Sequence, residues 1–202
     1  MLGLFKEGLG QAREALEIYE RVGDVGSQAQ CWVKLAMLLR DDEQLDAAEE
    51  AGFRAIKILP EGGQEWRICQ SHRNLGTICH SKREKEKAIQ HFETALTIAS
   101  SFDWSDQLSL IHHDLAKLFH DEDDFDKAHT HVEQSRSYTV DDPYQLGRAI
   151  LLQARVYYRQ HRLEDSASVA LGALEIFEGL RAQGDAENCT DLLRDIEQAT
   201  KS

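Results

Sequence analysis

The stretch WVKLAMLLRDDEQLDAAEEAGFRAIKILP, residues 32–60, decides the fold. Ala36 lies deep in one apolar-striped segment. Ala48 follows twelve residues on, Gly52 four further, and Ala55 three beyond that. The same pattern returns as Gly76, Ala88, Phe92, Ala95, then as Ala116, Ala128, Val132, Ser135, and again as Ala154, Ser166, Ala170, Ala173. The lead residues are spaced 40, 40 and 38 apart, and a half copy, Gly8, Ala12 and Ala15, sits 40 residues ahead of Ala48, Gly52 and Ala55. A fixed period of roughly 20–50 residues signals stacked supersecondary units, none of which buries its apolar face alone.

Each unit reads as two antiparallel helices. Cys31, Leu35, Leu38 and Leu39 carry a helical stripe that Asp41 and Asp42 close; Leu45, Ala48, Phe53, Ile56 and Leu59 form the next, with Pro60 at its end and Gly62 and Gly63 in the turn. Later helices are expected over about 65–81, 84–100, 106–120, 124–138, 143–160 and 163–181. Ser105 is a candidate cap, and Asp142-Pro143 reads as cap plus first helical residue. Gly184-Asp185 reads as a break before a final helix with Leu192, Leu193 and Ile196 apolar. The expected organisation is one all-α, right-handed solenoid over 1–202: a half repeat at 1–23, repeats at 27–61, 64–101, 105–140 and 142–182, and a capping helix at 185–200. With two prolines in 202 residues, long helices are favoured, and no strand-like run of alternating Val, Ile and Thr is present. The chain begins within what the period makes a second helix, about 4–21. That leaves two readings: a piece of a longer array, or an apolar edge that pairs, for instance with a second copy.

The residues now resemble a known family. Trp32, Leu35, Ala36, Leu39, Ala48, Ala55 and Pro60 follow the tetratricopeptide pattern, as do Leu75, Gly76, Ala88, Phe92 and Ala95, with His72 in the Trp slot. His112, Leu115, Ala116, Phe119, Ala128 and Val132 continue it, and so do Ala154, Tyr157 and Ala173, with Gln153 in the Leu slot. Gly52 departs from it, since an aromatic is usual there. The 40-residue period is similar to the long-looped subclass of kinesin light chains and Leu-Gly-Asn-repeat adaptors. ALEIY at 15–19 and ALEIF at 173–177 are similar to tags of that subclass. The resemblance implies a protein-interaction module whose first helices line a concave face.

Catalytic and cofactor motifs are absent from the sequence: there is no glycine-rich phosphate loop, no G-x-S-x-G and no H-E-x-x-H, so neither an enzyme nor a cofactor is expected. The histidines at 112, 113, 120, 129 and 131 supply no fixed ligand set; His112 is expected to pack in the Trp slot, the others to face groove or solvent. Cys69 with His72 makes two ligands, too few for a metal site. Asp41-Asp42-Glu43 and Asp121 to Asp124 lack the glycine and ligand spacing of a calcium loop and read as turns. None of Cys31, Cys69, Cys79 and Cys189 forms a C-x-x-C pair. Cys69 and Cys79 are ~15 Å apart along one helix, so reduced thiols are expected. Residues 1–10 have neither a basic start nor a continuous apolar stretch, and no apolar run reaches the ~18 residues of a membrane helix, which makes a cytosolic setting the expectation.

Charge is sorted along the chain. The net charge is −13, which disfavours nucleic acid and anionic membrane as partners. Counting from each small lead residue, the groove-facing positions hold Lys34, Arg40, Arg73, Lys117, Arg148 and Arg155 against one carboxylate, Asp114, with Leu151 and Leu152 among the uncharged residues on the same lining. These sum to +5, leaving −18 on the remainder. A basic lining in an acidic body favours an acidic, extended peptide. The expected contacts are Lys34, Arg40, Arg73, His113, Lys117, Arg148 and Arg155 for charge, with Asn74 and Tyr158 as polar and aromatic partners. A second reading stays open, the regulatory part of a larger signalling protein, such as an NTPase; a peptide-pheromone receptor is disfavoured, because it would need a closed superhelix and an effector domain that these 202 residues do not show.

Overall fold

The computed structural model describes residues 2–59, 64–139 and 141–201, with side chains from residue 7 onward. All ten elements among them are helices: α1 Leu2–Val22, α2 Val25–Asp41, α3 Leu45–Lys57, α4 Glu65–Ser81, α5 Lys85–Ser101, α6 Ser105–Asp121, α7 Phe125–Ser137, α8 Pro143–Arg159, α9 Leu163–Gly179 and α10 Gln183–Lys201. The expected end at Pro60 and the turn at Gly62 and Gly63 lie outside the described residues.

Contacts divide the chain after Asp103 into two compact units. In the first, α2 with α3 and α4 with α5 form hairpins, α1 packs on α2, and α4 leans on both α2 and α3. In the second, α6 with α7 and α8 with α9 form hairpins. There α8 leans on α6 and α7, and α10 on α8 and α9. The recurring small residues make this stacking close: Ala36, Ala48, Ala55, Ala88, Ala95, Ala116, Ala128, Ala154, Ala170 and Ala173 have no exposed surface. A second small row, unseen in the sequence reading, lies seven residues ahead of each lead: Ala29, Cys69, Ser109 and Gly147, all buried. It faces the hairpin partner. The Cys69 thiol donates to the Ala95 carbonyl at 3.5 Å, the Ser135 hydroxyl donates to the Ser109 carbonyl at 3.0 Å, and a Cβ on Gly147 would lie 3.0 Å from the Phe177 ring.

The hairpin turns share one geometry. Glu43, Arg83, Asp123 and His161 adopt φ of 59°, 63°, 59° and 58°. The next amide in each case donates back five residues: Gln44 to Leu39, Glu84 to Cys79, Asp124 to Phe119 and Arg162 to Tyr157, at 2.8–2.9 Å. This is the left-handed helix end that glycine usually serves; here three charged residues and a histidine occupy it, stabilised by the backbone bond that closes the turn.

Two terminus expectations are corrected. Trp104, not Ser105, is the residue before α6, and Ser105 is its first helical residue. Gly184 lies inside α10, while the chain turns at Arg181, φ 57°, and Ala182. The Asp142 cap holds: its Oδ1 accepts from the Gln145 amide at 3.0 Å, with Pro143 leading α8. Asp142→Ala is expected to cost about 1 kcal/mol, read as a lower midpoint of urea unfolding with an unchanged slope.

Candidate functional site

In the first unit, the expected contact residues lie on α2 and α4, which pack side by side. Lys34 is exposed and Arg40 half-buried. Arg40 crosses to α4, donating to Thr77 Oγ1 at 3.0 Å, while its other nitrogen pairs with Asp41 at 2.7 Å. Thr77 in turn donates to the Asn74 carbonyl at 2.8 Å. Arg73 is half-buried. Asn74 is 8% exposed, which corrects its assignment as an open hydrogen-bonding group: it sits in the packing of α4.

In the second unit, Lys117 and Arg155 are exposed, and His113, Arg148 and Tyr158 half-buried. Arg148 donates to Gln145 Oε1 at 2.9 Å, one turn back on α8. Arg155 faces Cys189 of α10 and partly offsets the burial that pushes that thiol up to about 11. Tyr158 packs against the cluster of Leu151, Phe177, Cys189 and Leu192, so only part of it is presented. Leu151 and Leu152, placed by the sequence on the lining, are instead buried: Leu151 packs with Leu192 and Ile196, and Leu152 with Ala116 and Val132. The offset rule thus took in flank positions, where neighbouring helices meet, along with exposed ones.

Sequence reasoning missed Arg67, whose Nε bridges to the Gly26 carbonyl of α2 at 3.1 Å. It also missed two histidine pairs. His72 and His91 meet Nδ1 to Nδ1 at 3.0 Å, and His112 and His131 do the same at 3.0 Å. His112 does occupy the Trp slot, but His131 and His129 are corrected from groove or solvent to packing. His131 stacks on Phe119 at 5.4 Å, and His129 lies 6.1 Å from Tyr157. The signal was present as a 19-residue spacing repeated 40 residues later. Burial holds His72 and His112 at about 4, with the partner ring adding to the effect.

The four cysteines are unpaired. Burial pushes Cys69 and Cys79 up to about 11; Glu49 and Glu84 add to the effect at Cys79. The ligand atoms of Glu49, Cys79 and Glu84 lie within 4.8 Å of one another, but Lys82 Nζ occupies the same neighbourhood, 2.8 Å from Asp46 and 3.8 Å from Glu84. The Lys82 ammonium already pairs with these carboxylates, Lys87 pairs with Glu84 as well, and burial keeps the thiol protonated. The arrangement suits a structural ion-pair knot better than a metal.

With this geometry in place, similarity to known proteins becomes informative. The family model described as "Soluble NSF attachment protein, SNAP" matches residues 13–145. The chain belongs to the SNAP family. The matched span runs from α1 into the start of α8; it includes Lys34, Arg40, Arg73, Asn74, His113 and Lys117 and stops before Arg148, Arg155 and Tyr158. The clustered mitochondria protein homolog of Xenopus tropicalis is 26% identical over 148 residues. That covers 69% of this SNAP-family chain and 11% of the relative's own length. Among solved structures, BtubC (BKLC) from P. vanneervenii superposes with a TM-score of 0.73 at 15% identity, over 98% of this chain and 92% of that one. A Rap protein complexed with competence and sporulation factor gives 0.69 at 18% identity, over 97% and 59%. Aspartyl phosphate phosphatase F from Bacillus subtilis gives 0.65 at 16%, over 96% and 55%. At these identities the likeness concerns fold: an all-α array of tetratricopeptide-like helix hairpins.

Proposed function

We propose that this SNAP-family chain is a non-catalytic protein-interaction module, and that within each unit the cationic faces of the first helices hold an acidic, extended segment of a partner. The supporting observation is the sorting of charge: six Lys or Arg and one carboxylate at the groove-facing positions of α2, α4, α6 and α8, in a chain of net charge −13. In this reading the exposed Lys34, Lys117 and Arg155 are the principal contacts, with Arg73, His113 and the presented edge of Tyr158 beside them. Arg40 and Arg148 are held by Thr77 and Gln145 and act mainly through their charge. The family description names an attachment protein, and the Rap structure contains a bound factor; both support a binding role. The 40-residue period supports the long-looped subclass within the tetratricopeptide-like proteins. Four free thiols support a reducing, cytosolic setting. Exposed Ile18 and Val22 on α1 support self-association through that helix.

A second reading, a regulatory segment within a larger signalling protein, is supported by the Xenopus relative, in which the similar region is 11% of the length.

The test uses a fluorescein-labelled library of Asp- and Glu-rich 12-residue peptides. Arg73→Glu with Arg155→Glu is expected to weaken the best binder at least tenfold, about 1.4 kcal/mol, and binding to the natural protein should fall as salt is raised. Unchanged affinity in the double variant rejects the cationic faces as the site.

No helix among the described residues is long and apolar enough to cross a membrane.

A further inference from the structure

On the opposite side of α2 from Lys34 lies a cleft of about 250 Å³, between α1 and α3. Leu16, Leu35, Leu39 and Ala51 form its apolar walls, Trp32 lines it, and Arg13 and Arg54 stand at its edge. Arg54 lies over the Trp32 ring at 4.9 Å and pairs with Glu50 at 2.6 Å. Arg13 is exposed and has no ion-pair partner among the described residues.

The repeat itself shows what this space accommodates. Forty residues on, Trp32 and Ala51 correspond to His72 and His91; a further forty on, to His112 and His131. In both of those repeats a ring from the second helix fills the position. His91 lies 5.3 Å from His72 and 5.9 Å from Phe53, the residue that corresponds to Arg13. His131 lies 5.2 Å from His112. Ala51 puts a methyl group in place of that ring, beside Trp32; in the fifth repeat the two positions are the aliphatic pair Ile150 and Val169. The cleft lies where the ring is missing at Ala51.

We propose that this cleft is a docking pocket for one aromatic side chain of a partner polypeptide, stacked on Trp32. The volume suits a single side chain; small-molecule sites usually start near 300 Å³. An aromatic guest gains offset stacking with Trp32 beyond its buried area. Arg13, the unpaired guanidinium at the edge, covers the guest ring or donates to an oxygen of the segment that carries it. The pocket is separate from the cationic faces, so either assignment can fail without the other.

The experiment selects phage-displayed 12-residue peptides on the natural protein and measures their affinity for Ala51→His, which places the chain's own ring where two neighbouring repeats hold one. The selected peptides are expected to share an aromatic residue whose change to Ala weakens binding tenfold or more. Ala51→His is expected to weaken them by a similar factor, with thermal unfolding undiminished. Arg13→Glu, at an exposed position where substitutions usually perturb folding little, is expected to weaken them about threefold or more, and this decides the matter should Ala51→His fold poorly. Peptides that need no aromatic residue, or that bind Arg13→Glu and a folded Ala51→His as tightly as the natural protein, overturn the proposal. Peptides weakened by Arg73→Glu with Arg155→Glu, yet indifferent to Ala51→His, belong to the cationic faces and equally overturn it.

Discussion

Acidification from pH 7 to pH 4.5 is expected to lower folding stability steeply, with the loss beginning near pH 6.5. His72 and His112 are held at about 4 in the folded chain, against 6.5 for a solvated imidazole, first by burial and then by the ring opposite. Their partners His91 and His131 are lowered too, chiefly by burial. A group whose folded value is depressed leaves the unfolded chain binding more protons over the interval between the two values. The stability it contributes is therefore complete above 6.5 and is lost as pH falls toward 4. His72 and His112 each account for on the order of 1–2 kcal/mol by pH 5, less than full desolvation would give because the rings stay partly solvated. The pairing adds a stereochemical reason. An Nδ1 to Nδ1 contact of 3.0 Å needs one nitrogen to donate and the other to accept, so protonating both rings removes the bond and sets like charges together. Glu49 near His91 opposes the shift, while Lys87 near His91 and Lys127 near His131 reinforce it. Urea unfolding followed by circular dichroism at half-unit steps of pH checks this. Replacing one pair, His72→Phe with His91→Leu, should remove about half of the dependence; a flat profile in the natural protein defeats it.

The histidine pairs also show where a linear reading stops. Helix existence and order were legible because the small residues and apolar stripes repeat with a period that only helix hairpins satisfy; α4, for example, spans Glu65–Ser81 as expected. The turns were less legible. Glycine marks left-handed positions in sequence, and here Glu43, Arg83, Asp123 and His161 fill them. The groove offsets fall on exposed Lys34, Lys117 and Arg155 but also on Asn74, Leu151 and Leu152, which sit where adjacent helices touch. A groove rule based on one helix cannot know how far its neighbours reach over its flanks. The ring missing at position 51 became meaningful only when the equivalent rings at 91 and 131 were seen filling the same space.

Gly76→Ala is expected to destabilise the first unit by about 1–3 kcal/mol, the usual range for overpacking a dense core. A Cβ at Gly76 of α4 would lie 2.6, 2.7 and 2.9 Å from three atoms of the Phe92 ring. Phe92 has no exposed surface and cannot swing away. The two residues are one unit of design. Where the lead residue is alanine, as at 36, 116 and 154, the position sixteen residues on is Gly52, Val132 or Ala170; where it is glycine, that position is phenylalanine. Gly52 inverts the arrangement rather than merely lacking an aromatic: Leu75 of the next repeat fills its place, and a Cβ there would lie 2.6 Å from Leu75 Cδ2. Shrinking the ring alone leaves a cavity, so Phe92→Ala should cost about 3–5 kcal/mol. If volume exchange between the two sites governs the packing, Gly76→Ala should cost much less in a Phe92→Leu background than in the natural one, a coupling of at least 1 kcal/mol, within the range seen for residues in contact. Additive losses in that double-mutant cycle would show instead that α4 and α5 shift apart as rigid bodies, and that the glycine is not what brings these helices together.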